Sequence, residues 1–250
     1  MICIRNSTVT FTFCQNNRPT AFSHTEFRAM ATHGICTEYA PRRFPAIVLR
    51  IRGYNSGDDD VEPNGVATAL LFRSGRVVMT GVRAPACGLC STVNVMAHRV
   101  RHRVRAALRG AGLSAAARAL RIGEVRVRNL VSSVRLPFRV HIERLYNSLM
   151  SRHSEIDQNH DDDNVLADTQ FVGVRSCHLD LCAFPALRCT LSMALSESQQ
   201  QPQSVARPIA VTFLLFVNGQ LIVTGVRSVE HIDEALQNIE TMVNRSTYRR

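Results

Sequence analysis

The sequence predicts an α+β protein built from two like halves, each combining antiparallel hairpins with amphipathic helices. Three observations carry this. Residues 70–83, LLFRSGRVVMTGVR, return at 214–227 as LLFVNGQLIVTGVR, so one pattern of Leu-Leu-Phe, Gly and Thr-Gly-Val-Arg is present twice. Two shorter echoes keep the same order, FPAIVLR at 44–50 against FPALRCT at 184–190, and IRN at 4–6 against VRN at 127–129. Paired features in one order are an internal duplication. Within each half, β-branched stretches of period two alternate with apolar residues at helical spacing, which mixes strands and helices.

Taken in order, IRNSTVTFTF (4–13) is β-branched and aromatic with rough alternation and reads as a strand. Ser23 is placed to cap a short helix running to about Ala31, with Phe27, Met30 and Ala31 on its inner face. After a Pro-containing lead-in at 39–43, strands are expected at 44–52, 66–73 and 76–83. Arg73-Ser74-Gly75-Arg76 joins the last two as a short Gly-containing hairpin turn. Antiparallel pairing of 44–52 with 66–73 puts Phe44 and Phe72 at the same end of that hairpin. The polar insertion 53–66 between them reads as an exposed loop.

Val93, Met96, Ala97, Val100, Val104, Ala107 and Leu108 recur at helical spacing, and the other face of 93–108 holds Arg99, Arg101, His102, Arg103 and Arg105. Residues 111–123, rich in Gly, Ala and Ser, are expected to link a first half, 1–110, to a second, 124–250. The second half replays the first: a strand at 124–136, a loop and helix to about 183, then strands at 184–193, 208–217 and 220–227. A closing helix at 229–244 turns Ile232, Ala235, Leu236, Ile239, Met242 and Val243 inward and keeps Glu230, Asp233 and Glu234 near its positive end. Polar insertions at 151–170 and 196–207 interrupt this half.

Composition is that of a globular chain, 45% hydrophobic and 20% charged. No apolar run reaches the length of a membrane span and the N-terminus has no leader-like pattern, so neither a membrane partner nor secretion is expected. The 8 Cys are scattered, which suits free thiols in a reducing compartment. All 30 basic residues are Arg; residues 1–128 hold 19 of them against 7 acids, while 129–250 hold 11 against 13. A basic half points to a polyanionic partner, nucleic acid first. Cys87 and Cys90 have zinc-like spacing without a second pair, and Cys177, His178, Asp180 and Cys182 cluster without one either. No phosphate loop or nucleophile motif is present, so no metal, cofactor or enzymatic activity is expected.

EYAPRRFPAIVLRIR (38–52), the two LLFxxGxxxxTGVR copies and VRVRNLVSSVRLPFRVHIERL (125–145) together resemble the TATA-box-binding protein family. The likeness covers nearly the whole chain apart from the insertions. It implies a pseudo-two-fold saddle, a curved ten-stranded antiparallel sheet with helices on its convex face. The implied function is a nuclear transcription factor, or one at the site of viral transcription, that binds and kinks A·T-rich, TATA-like promoter DNA from the minor groove. General initiation factors and the RNA polymerase machinery are the implied protein partners.

Alternation along the strands puts Thr68, Leu70, Phe72, Val78 and Thr80 on one side, mirrored by Thr212, Leu214, Phe216, Ile222 and Thr224. A small apolar surface with hydroxyls suits the A·T minor groove, whose edges offer acceptors and no amino group. The resemblance makes Phe44 with Phe72, and Phe184 with Phe216, the wedges that open a base step, with Pro45 and Pro185 stiffening the approach. It gives Asn6 and Asn129 amide donors to groove acceptors and Val131 a groove contact, for which the first half has Thr8. Arg43, Arg50 and Arg76 match phosphate-contacting positions, whereas the second half offers Thr190 and Gln220, so the phosphate grip is expected to be lopsided. Glu38 and Asp180 match acidic partner-binding positions, with Cys182 and Ala183 departing from the pattern. Arg99 and Arg103 belong to a basic helix that is either a partner surface or a solvated face. Two rival readings stand beside this one. The chain is a related interaction module or regulator with altered DNA binding, or an appendage of a DNA-processing enzyme, against which the duplication leaves no room for a catalytic domain.

Overall fold

The structure, a computed structural model, describes residues 2–52, 65–156, 171–193 and 208–247, so the expected insertions at 53–66, 151–170 and 196–207 lie largely outside the described residues. Its first elements are β1 (Cys3–Gln15), β2 (Arg18–Pro19), α1 (His24–His33), β3 (Thr37–Glu38), β4 (Ala46–Arg52), β5 (Val66–Phe72) and β6 (Arg76–Pro85). A 3-10 turn at Ala86–Gly88 leads into α2 (Leu89–Gly110), α3 (Ser114–Ala119) and β7 (Arg121–Ile122). Then follow β8 (Arg126–Arg135), α4 (Ile142–Ile156), β9 (Phe171–His178), β10 (Ala186–Met193), β11 (Ile209–Phe216), β12 (Gln220–Val226) and α5 (Val229–Thr247).

These elements form two compact units, Ile4–Asn129 and Leu130–Arg250 with Met1–Cys3. In the first, the strands run in the order β3-β4-β5-β6-β1, with the short β2 and β7 both pairing the end of β1. In the second, the order is β8-β12-β11-β10-β9. Each unit thus carries a path of five strands.

Burial follows the period of two. Along β5, Ala67, Ala69 and Leu71 are buried while Thr68, Leu70 and Phe72 are half-buried, and β11 repeats this with Val211, Phe213 and Leu215 against Thr212, Leu214 and Phe216. Helix α2 packs against β4 and β6 with Val93, Met96, Ala97 and Val100 buried, and α1 packs on α2 with Phe27 and Met30 buried. In the second unit α5 lies on β12, while α4 lies on β9 and β10 with Leu145 fully enclosed.

Local chemistry sets the ends of α1. Ser23 Oγ accepts from the Glu26 N–H at 3.2 Å, and the Ser23 N–H donates back to Glu26 Oε2 at 2.8 Å, a reciprocal capping box. Ser23→Ala is expected to lower stability by about 1 kcal/mol, read as a lower midpoint in denaturant unfolding; an unchanged midpoint would show the cap to be idle.

The structure departs from the sequence reading in four places. The stretch 111–123 is not a plain linker: Ser114–Ala119 is helical, as an Ala-rich run prefers, and β7 then pairs Ile122 with Phe13. The helix opening at Ile142 continues to Ile156, past the start of the expected insertion at 151. The loop and helix expected to reach 183 include instead the strand β9, paired with β10 as Cys177 to Cys189 and His178 to Arg188. Finally, the thiols are not all free. Cys177 and Cys189 face each other across that pair with Cα atoms 4.3 Å apart and are joined as a disulfide, whereas Cys3, Cys14, Cys36, Cys87, Cys90 and Cys182 are free.

Candidate nucleic-acid interface

The face of each unit opposite its helices is built by the same register. In the first unit, Thr68 pairs with Thr80 and Leu70 with Val78, while Arg50, Val48 and Ala46 on β4 pair with Thr68, Leu70 and Phe72. In the second, Thr212 pairs with Thr224 and Leu214 with Ile222, while Thr190, Arg188 and Ala186 pair with Thr212, Leu214 and Phe216. Val131 on β8 pairs with Thr224 and extends this row. Every one of the ten alternating residues anticipated from the sequence is half-buried.

At the tip of each β4–β5 or β10–β11 pair two rings meet edge to face. Phe44 and Phe72 have centroids 5.9 Å apart at 68°, and Phe184 and Phe216 have them 5.8 Å apart at 66°. The outer ring of each pair is the exposed one, 41% for Phe44 and 45% for Phe184. Their backbones are held by matching turns, in which the Phe44 N–H donates to the Ala40 carbonyl and the Phe184 N–H to that of Asp180. Pro45 and Pro185 follow them, both exposed. At equivalent tips of the two units, then, a large apolar ring is left partly in water rather than in the core.

Asn6 is held by its carbonyl end. Its Oδ1 accepts from the Gly81 N–H at 2.8 Å and from Thr80 Oγ1 at 3.2 Å, which fixes the amide orientation and leaves the NH2 as a pair of donors. Gly81 reaches this position with φ at +87°, and a Cβ there would sit 3.2 Å from the Val66 carbonyl oxygen. That accounts for the glycine in the repeated Thr-Gly-Val-Arg; its counterpart Gly225 has φ at +99° and marks a register shift between Thr224 and Val226. Asn129 is half-buried on β8, next to Leu130 of the second unit.

The basic positions are less alike. Arg43 is exposed beside Phe44, and Arg50 donates from Nη1 to Thr68 Oγ1 at 2.7 Å. Arg76 lines a recess of about 240 Å3 with Thr10, Thr12, Arg126 and Arg128. Arg126 and Arg128 are not among the positions anticipated from the sequence, although the alternating Arg of VRVRN, just before Asn129, marks them. Arg128 Nε donates to Thr10 Oγ1 at 2.8 Å. Arg126 is paired with Glu124, whose carboxyl is held below its usual range chiefly by that hydrogen bond. In the second unit the hydroxyls of Thr190 and Thr212 bond each other at 3.0 Å, and Gln220 Nε2 donates to the Val134 carbonyl at 3.2 Å. Both neutral replacements are therefore satisfied internally.

Of the anticipated partner positions, Glu38 is exposed on β3 opposite Val48. Asp180 Oδ1 accepts from the N–H groups of Cys182 and Ala183 at 3.1 and 3.2 Å, so it shapes the turn before Phe184. Arg99 and Arg103 on α2 are half-buried, and Arg99 Nη1 donates to the Arg52 carbonyl at 2.9 Å. The basic flank of α2 is thus partly packed.

Comparison with known proteins gives one answer. The sequence profile of a family described as transcription factor TFIID (or TATA-binding protein, TBP) matches residues 1–86 and 163–246. The chain is 24% identical to the TATA-box-binding protein of Acanthamoeba castellanii over 214 residues, which cover 86% of this chain and 58% of that one. It is 26% identical to that of Dictyostelium discoideum over 214 residues, covering 86% and 73%. The aligned part thus spans between half and three-quarters of these two relatives. Among solved structures, Methanococcus jannaschii TBP superposes with a TM-score of 0.57 over 98% of both chains at 18% identity, a likeness of fold.

Proposed function

Because the chain belongs to the TATA-binding protein family, we propose that it is a transcription factor that binds A·T-rich promoter DNA in the minor groove, kinks it and so nucleates initiation. The observation that carries this reading is the pair of exposed, edge-to-face Phe wedges, each at the tip of a strand pair lined by small apolar and hydroxyl side chains. Such a surface has few polar groups to satisfy and matches a groove that offers acceptors only. Asn6, with its NH2 left over as a donor, adds the direct hydrogen bonds that such acceptors take. Arg43, Arg50 and Arg76, joined by Arg128, supply the sequence-independent attraction to phosphate in the first unit. Initiation factors and polymerase machinery in the nucleus are the corresponding partners, with Glu38, Arg99 and Arg103 as contact positions.

A selection of bound duplexes from a random pool, with bend angles measured on the winners, tests the reading. A·T-rich sites that are sharply bent are the expected outcome. A pool without A·T enrichment, or straight complexes, would overturn it. The neutral Thr190 and Gln220 and the altered residues before Phe184 favour a second reading, a related regulator acting mainly through protein contacts. Retention of initiation factors by a protein that binds no duplex at low salt would select it.

A further inference from the structure

The comparison of equivalent positions leaves the second unit without a phosphate grip, yet its open face holds an arginine that the first unit lacks. On β4 the residues facing away from the core are Val48, Arg50 and Arg52; on β10 they are Arg188 and Thr190, with Ser192 next in the same alternation but buried. The basic position has moved by two residues, one full step along the same face, or about 7 Å. Arg188 is exposed between the fully buried Leu187 and Cys189, so its stem leaves the sheet on the open side. Its cross-strand neighbours are Leu214 on β11 and His178 on β9, where the first unit has Leu70 and Glu38 around Val48. Among the described residues no carboxylate answers it: Asp180 is engaged by the Cys182 and Ala183 N–H groups, and Arg188 has no hydrogen bond or ion pair there.

We propose that Arg188 is the second half's phosphate anchor, standing in for the arginine missing at Thr190 and contacting the DNA backbone beside the step opened by Phe184 and Phe216. This rests on the functional reading above. The backbone is the fitting ligand because β10 lies one strand outside β11, whose Thr212 and Leu214 face the groove, just as Arg50 lies outside Thr68. An unpaired guanidinium at that rim meets phosphate oxygens and carries affinity without reading sequence.

The test is the salt dependence of duplex binding between about 50 and 200 mM, measured for the full chain and for Arg188→Val, which installs the first half's residue. Loss of one phosphate contact lowers the slope of log K against log salt by about 0.9, with the same fold-loss on an A·T-rich site and on an unrelated duplex. Arg188→Gln serves as a second variant if the first does not fold, and Arg188→Val with Thr190→Arg is expected to restore the slope. An unchanged slope in a folded variant, or a loss confined to one sequence, overturns the assignment while leaving the functional reading intact. Failure of the unaltered chain to bind any duplex overturns both.

Discussion

Replacing Phe44 and Phe72 together by Ala is expected to abolish the DNA bend at that end of the site. The size of the effect follows from a near balance. Opening a base step costs a few kcal/mol. A Phe side chain buries about 150–250 Å2, and with 41% of Phe44 still exposed its insertion removes roughly 80 Å2 from water, worth about 2 kcal/mol. The wedge therefore offsets much of the unstacking, and without the rings the kink has nothing to hold it open. Folding should suffer little, because Phe44 is exposed and Phe72 is only half-buried at the end of β5. Bend angles by fluorescence transfer between labelled duplex ends would check this, and full bending by the double variant would refute the wedge assignment.

Installing the missing arginines is the second large effect. Thr190→Arg with Gln220→Arg places a guanidinium at the counterparts of Arg50 and Arg76, both on the open face of the second unit. The change removes the Thr190–Thr212 and Gln220–Val134 hydrogen bonds, at about 1 kcal/mol of stability each. In return, two further phosphate contacts should steepen the salt slope by roughly two, so that affinity falls about tenfold further than for the unaltered chain between 50 and 200 mM. A slope that stays the same would mean that this rim does not lie along the backbone.

What the sequence made legible was whatever the duplication repeats. The Phe pairs could be placed because hairpin register follows from a turn and a period of two, and because two copies check each other. The failures lie where the halves differ. Strand β9 has eight residues where its counterpart β3 has two, so reading the second half by the first hid it. Cys177 and Cys189 are separated by 12 positions, and only the β9–β10 register shows that they meet. Arg188 is hidden for the same reason: the first half has its arginine two residues further along the strand, at Arg50, and has Val48 at the position of Arg188. Arg126 and Arg128 precede the second repeat's asparagine in sequence, yet they belong to the unit Ile4–Asn129 and line a recess with Arg76. A chain count of charge per half does not see such an exchange.

The tie between Asn6 and Gly81 has a consequence for the thermodynamics of recognition. An asparagine that settled its amide only on meeting DNA would lose rotational freedom at that moment, and the loss would weaken the complex. Here the loss is incurred during folding, when the Gly81 N–H and Thr80 hydroxyl capture the carbonyl end. On the proposed reading the donor pair meets the groove already aligned, so the left-handed turn at Gly81 lowers the entropic penalty of a contact it does not itself make.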